Sequence, residues 1–175
     1  MSWAIWLTGP PASGKTTIAR AILDRLSRIG VAAVWLESDA LRRILTPQAD
    51  YSPEERDRFY AWVAGLAALL AGQGFNVLVD ATAPRRAHRQ QLRDRVPRLL
   101  EVLVEAPRDV REARDPKGLY RRARSGGAPH LPGATEPYEP PLDPDLVLSG
   151  TAPPGENALL VLGLLAEKSL IPSLG

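Results

Sequence analysis

No cysteine occurs anywhere in the 175 residues. A disulfide framework and any thiolate metal site are therefore excluded. Histidine is almost as scarce. His88 and His130 stand apart, with no acidic or cysteine partner at metal-ligand spacing, and both read as structural or surface residues. Lysine is rare too: only Lys15, Lys117 and Lys168 are lysines among 22 basic residues, and the net charge is +2. So small a charge speaks against strong nucleic-acid affinity. The arginines read mostly as the compositional habit of a GC-rich or thermophilic source, although guanidinium groups suit bidentate phosphate and sulfate recognition. No apolar run is long enough to span a bilayer; the last helical pattern, Ala158 to Ile171, is short and carries Glu167 and Lys168. No signal-peptide pattern precedes the first strand. The expectation is a cytoplasmic protein without a membrane partner.

What is present is an ordinary globular mixture, with 45% hydrophobic and 24% charged residues. That length supports a single domain, 1–175, with a proper core. Near its start, Gly9-Pro10-Pro11-Ala12-Ser13-Gly14-Lys15-Thr16 reads as G-x-x-x-x-G-K-[ST], followed by a second Thr17. An apolar strand pattern, Trp3 to Leu7, precedes it and an amphipathic helix pattern follows. The glycines let successive backbone N–H groups turn inward on phosphate, and the helix N-terminus adds partial positive charge. Lys15 can reach the β- and γ-phosphates, and Thr16 can hold Mg²⁺. The motif implies a bound nucleoside triphosphate, with Gly9, Ser13, Gly14, Lys15, Thr16 and Thr17 around it.

Strand and helix patterns alternate along the chain, which predicts an α/β fold with a five-stranded parallel sheet and helices on both faces. The spacing predicts helices over 14–29, 41–45, 52–70, 87–96 and 158–171, with a further one starting at Pro107. Strands are expected at 31–36, 76–79, 99–104 and 146–148. Ser52-Pro53-Glu54-Glu55 has the form of a capping box with proline at the first helical position. Ser125 to Pro144 reads as a Gly/Pro-rich loop, and Trp3, Trp6, Trp35 and Trp62 as packing residues.

Asp39 falls just past the second strand, where ligands bind in open parallel sheets. A carboxylate there can take a hydroxyl proton, hold Mg²⁺ through water, or cap a helix. Asp80 ends Val77-Leu78-Val79, the apolar-strand-then-acid form of a magnesium-ligating or water-orienting residue, and also of a cap. Arg114 to Arg124 is the densest cationic stretch, either a lid over the triphosphate or a solvated helix face.

That stretch, Arg114-Asp115-Pro116-Lys117-Gly118-Leu119-Tyr120-Arg121-Arg122-Ala123-Arg124, resembles the signature R-D-x-K-G-L-Y-x-x-A-R of adenylylsulfate (APS) kinases. The P-loop, Asp39 with Arg42, Tyr51-Ser52-Pro53-Glu54-Glu55-Arg56, and Gly133 with Pro137-Tyr138-Glu139-Pro140-Pro141 extend the likeness in order along nearly the whole chain. The resemblance implies a P-loop kinase that moves the ATP γ-phosphate to the 3′-hydroxyl of APS, giving PAPS for sulfate assimilation. It implies that Asp39 assists the hydroxyl, Arg42 and Arg56 contact the phosphosulfate, and Lys117 acts from a lid at about 114–133. Gly126-Gly127 beside the arginines reads as a hinge, so 117–132 is expected to be mobile without ligand. The resemblance places Arg114 against the ATP base, and Tyr51 and Leu131 beside the acceptor's adenine; it also implies a homodimer.

The departures sit on the acceptor side. The family's D-G-D is Glu37-Ser38-Asp39; its Asn and two arginines are Phe59, Ala61 and Trp62; its I-S-P is Thr82-Ala83-Pro84; its F-T-G is Leu131-Pro132-Gly133. Val77 to Arg89 also resembles a polynucleotide-kinase-like group of P-loop kinases, which keeps another hydroxyl acceptor, a small molecule or a polynucleotide 5′-end, as the alternative. A nucleotide-driven switch is a third reading, without a guanine-reading N/T-K-x-D motif to support it.

Overall fold

The computed structural model describes residues 2–128 and 130–173. Five strands, β1 (Ala4–Thr8), β2 (Val34–Glu37), β3 (Val77–Asp80), β4 (Leu99–Glu105) and β5 (Leu146–Ser149), form one sheet. Their order is β2-β3-β1-β4-β5 and every pairing is parallel. The helices are α1 (Lys15–Arg28), α2 (Ser38–Leu45), α3 (Pro53–Gly72), α4 (Arg86–Arg93), α5 (Arg108–Arg114), α6 (Leu119–Arg124) and α7 (Pro154–Glu167).

The period-2 alternation of the central strand builds two cores. Trp3, Ile5 and Leu7 face α1 and α7, where Ile18, Ile22, Leu26, Val161 and Leu165 pack on them. Ala4 and Trp6 face the other way, onto Phe59, Val63, Ala64 and Ala67 of α3 and Leu92 of α4. Trp6 is fully buried, and its indole N–H donates to the Ala81 carbonyl at 3.1 Å. Arg89, buried on α4, donates to the carbonyls of Ala83 and Glu139 and pairs with Glu101. One guanidinium thus ties two loops to the sheet.

Several boundaries differ from the sequence reading. β2 begins at Val34, because pairing with β3 runs only from Val34↔Val77 to Glu37↔Asp80. α2 begins at Ser38, so Asp39 lies in its first turn. α4 spans Arg86–Arg93, shorter than expected, and α7 starts at Pro154, a turn earlier. The capping box at α3 is half made. Ser52 Oγ accepts from the Glu55 N–H at 3.2 Å, but the Ser52 N–H is taken by Asp50 at 2.9 Å while the Glu55 carboxylate turns to Arg42. Trp62 is 47% exposed and does not pack in the core.

Candidate active site

The loop from β1 to α1 lies at the carboxyl end of the central strand. Gly9 has φ +149, and a Cβ there would sit 2.2 Å from the Val104 carbonyl, so no other residue fits. Gly150, just past β5, packs against the loop. A Cβ on Gly150 would lie 1.8 Å from the Ser13 carbonyl, and its N–H bonds to Glu105 at 2.6 Å. No side chain caps α1 and no acid occupies its first turn. The first-turn amides are therefore left to an anionic ligand.

A cavity of about 880 Å³ opens over this loop. Gly14, Lys15, Thr16 and Thr17 line it. Gly9 and Ser13 are buried within the loop and do not line the cavity. Lys15 Nζ donates to the carbonyls of Gly9 at 2.8 Å and Pro10 at 3.0 Å. Burial lowers its pKa to about 8, with the Asp80 carboxylate acting in the opposite direction. Thr16 donates its hydroxyl to Asp80 at 2.6 Å. Asp80 reaches this place because β3 runs beside β1 in the register Leu7↔Asp80. Burial raises its pKa, and the Lys15 charge opposes that rise. A hydroxyl and a carboxylate in contact at the mouth of the phosphate loop are hard oxygen donors of the kind Mg²⁺ takes when phosphates and water complete its shell. The residues present fit that ion.

Across the cavity stand the cationic residues that follow α5. Lys117 pairs with Asp39 of α2, bridging the two sides. The Arg114 guanidinium lies near the α1 N-terminus, 3.7 Å from where a Cβ on Gly14 would sit. Asp115 fixes the start of α6 by accepting from the Tyr120 and Arg121 N–H groups at 3.1 and 3.0 Å. The buried Tyr120 hydroxyl accepts from Arg111 at 2.6 Å and donates to the Pro11 carbonyl at 3.0 Å. It joins the cationic segment directly to the phosphate loop.

The remaining wall comes from α2, α3 and the loop around Leu131. Arg42 Nη1 donates to both Glu55 oxygens, at 2.8 and 3.1 Å. Arg56 pairs with Glu136 at 2.8 Å and donates to the His130 carbonyl. Tyr51, with φ +58, and the buried Leu131 both line the cavity. Ala61 and Trp62, two of the departures noted in the sequence, do not line it. Apart from Gly9 and Ser13, every predicted site residue does.

Sequence reasoning missed Glu55, Glu136, Arg111 and Gly150. Tyr120 stood inside the quoted motif, but its bond to Pro11 joins residues 109 positions apart. His88, read as structural, is buried and bonded to Asp57 at 2.7 Å.

A phosphate-binding loop, a strand-terminal acid and an arginine-rich segment around one cavity define a P-loop kinase. The adenylylsulphate kinase family model matches residues 1–149, and the chain belongs to that family. The match includes the Val77 to Arg89 stretch that also resembles the polynucleotide-kinase-like group. The adenylyl-sulfate kinase of Paraburkholderia xenovorans (strain LB400) is 44% identical over 145 residues, covering 82% of this chain and 81% of that protein. That of Vibrio cholerae is 38% identical over 170 residues, covering 95% and 79%. Among solved structures, the Mycobacterium tuberculosis APS kinase CysC in complex with AMPPNP and APS superposes with a TM-score of 0.88 at 34% identity, covering 94% of this chain and 98% of that one.

Proposed function

We propose that this chain is an ATP-dependent kinase that phosphorylates the 3′-hydroxyl of adenylyl sulfate, producing PAPS and ADP. The observation that carries the reading is the meeting of Asp39 and Lys117 across the same cavity that Lys15 and Thr16 line. The phosphate loop supplies one end of the reaction and the Asp39 side supplies the other.

Lys15 and the α1 amides hold the triphosphate, and Arg114 flanks the nucleotide at the helix N-terminus. Arg42 and Arg56 take the anionic phosphosulfate, and Tyr51 and Leu131 the acceptor's adenine. The hydroxyl proton passes to Asp39 as the acceptor oxygen bonds to the γ-phosphorus and the bond from that phosphorus to the bridging β,γ-oxygen breaks. Lys117 stabilises the charge on the moving phosphoryl group. Thr16 and Asp80 would hold Mg²⁺, which supplies charge neutralisation on the phosphates. The segment at about 114–133 acts as a lid that shuts out water; Pro129 within it lies outside the described residues.

With this reading go a homodimeric assembly, implied by the sequence resemblance, and a cytoplasmic setting, where ATP is supplied. No described helix is long and apolar enough to cross a membrane. The test is ATP consumption against APS, a 5′-hydroxyl oligonucleotide and simple alcohols. APS-dependent formation of ADP and a 3′-phosphorylated product supports the reading. Turnover with another acceptor and none with APS overturns it.

A further inference from the structure

Arg42 reaches the cavity from α2, but α3 holds it. Its guanidinium carbon lies 3.9 Å from the centre of the Phe59 ring and 4.7 Å from that of Tyr51. Glu55, one turn before Phe59, engages Nη1 alone, which leaves the Nη2 and Nε edge uncommitted to that carboxylate. Phe59 is fully buried and braced edge-on against Tyr60, with ring centres 5.3 Å apart at 70°. Tyr60 in turn stacks on the buried His88 at 4.6 Å. A cation over an aromatic face is attracted by the ring quadrupole, more strongly where water is excluded. A long arginine side chain left unrestrained must instead be ordered when the ligand arrives, and that weakens binding.

From this geometry we infer that Phe59 is a positioning residue for the acceptor: its ring holds the Arg42 guanidinium in the plane from which it meets the anionic group of the substrate. The inference rests on the kinase reading above and deepens its acceptor side. Phe59 does not line the cavity and touches no substrate; it acts through Arg42. The same contact lets the exposed Tyr51 ring offer a planar ligand only the surface that Arg42 leaves open.

Phe59→Leu keeps the position apolar and removes the ring. Initial rates with APS and ATP varied separately are the readout, beside the melting temperature. KM for APS should rise by roughly 3-fold to 30-fold, the range of a lost cation–π contact. KM for ATP and kcat should stay within about twofold, because the phosphate loop and Asp39 do not touch Phe59. Phe59→Tyr should restore the KM for APS. Val63→Ala, one turn further along the same buried face, serves as the packing control; it should lower the melting temperature and leave KM for APS unchanged. Phe59→Met replaces Phe59→Leu if the latter does not fold. Unchanged KM for APS in the ring-less variant overturns the inference while leaving the kinase reading standing. A KM rise in Val63→Ala that matches its loss of stability also overturns it, since packing alone would then explain the effect. No product from APS with the wild-type chain overturns the kinase reading, and this inference with it.

Discussion

Burial holds the Lys15 ammonium to a pKa of about 8, against 10.5 for an exposed lysine. Between those values the unfolded chain binds more protons, so stability rises with pH across that window. The penalty for burying the charge is fully present below about pH 8, and it is on the order of 3 kcal/mol. A bound triphosphate opposes that shift, because its negative charge favours the ammonium form. ATP binding at pH 8.5 should therefore take up protons. Titration calorimetry in buffers of different ionisation enthalpy reads this directly, and Lys15→Arg, charged throughout, should show no uptake from this site. A buffer-independent enthalpy in the wild-type chain would count against the argument. Asp39 makes a separate claim. Asp39→Asn should lower kcat by roughly 10² to 10⁴, the usual contribution of a positioned base, with ATP affinity little changed. Loss of ATP affinity at constant kcat would move Asp39 into the metal's surroundings instead. The residues of the phosphate loop were legible because they lie within one contiguous stretch whose chemistry depends on local spacing. The clamp on Arg42 was not. Glu55 looked like the return arm of a capping box, and only the approach of α2 to α3 shows that its carboxylate is spent on a guanidinium.

Elements were legible in kind and order, and less so in extent. A strand ends where its partner ends: β2 covers four residues because β3 does, and the apolar residues Val31 to Ala33 have no strand to pair with. The Pro153-Pro154 pair reads as loop in isolation, but Pro154 sits at the start of α7, where its missing N–H costs nothing. The segment proposed as a lid also shows what spacing cannot. It is tied down by Tyr120 to Pro11, Lys117 to Asp39 and the His130 carbonyl to Arg56. The last two partners are residues assigned to the acceptor. Removing the Tyr120 hydroxyl deprives a partly buried carbonyl of its donor, at about 1 kcal/mol for a typical bond of this kind. In Tyr120→Phe, tryptic cleavage near Arg124 should accelerate several-fold, and an ATP analogue with APS should slow cleavage in the wild-type chain. Equal cleavage rates in both proteins, with and without ligands, would argue that the segment never opens.

At the scale of the molecule, the sheet order does the assembling. β1 at the centre brings the phosphate loop beside Asp80 on β3, and β5 at the edge delivers Gly150 against that loop. Gly150→Ala should push the Ser13 carbonyl out of place and weaken ATP binding at least tenfold, while the helix content seen by circular dichroism stays near wild type. Unchanged affinity would mean that the loop yields at no cost. The placement of Gly150 has a further consequence in time. Synthesis runs from the N-terminus, so Gly9 to Thr16 is made well before Gly150, the residue that packs against its loop. A nascent chain released short of β5 would carry every residue of the motif without a loop able to grip a nucleotide. Competence for ATP therefore waits on β5, and a chain made only as far as β4 does not hold ATP before the rest of its sheet is in place.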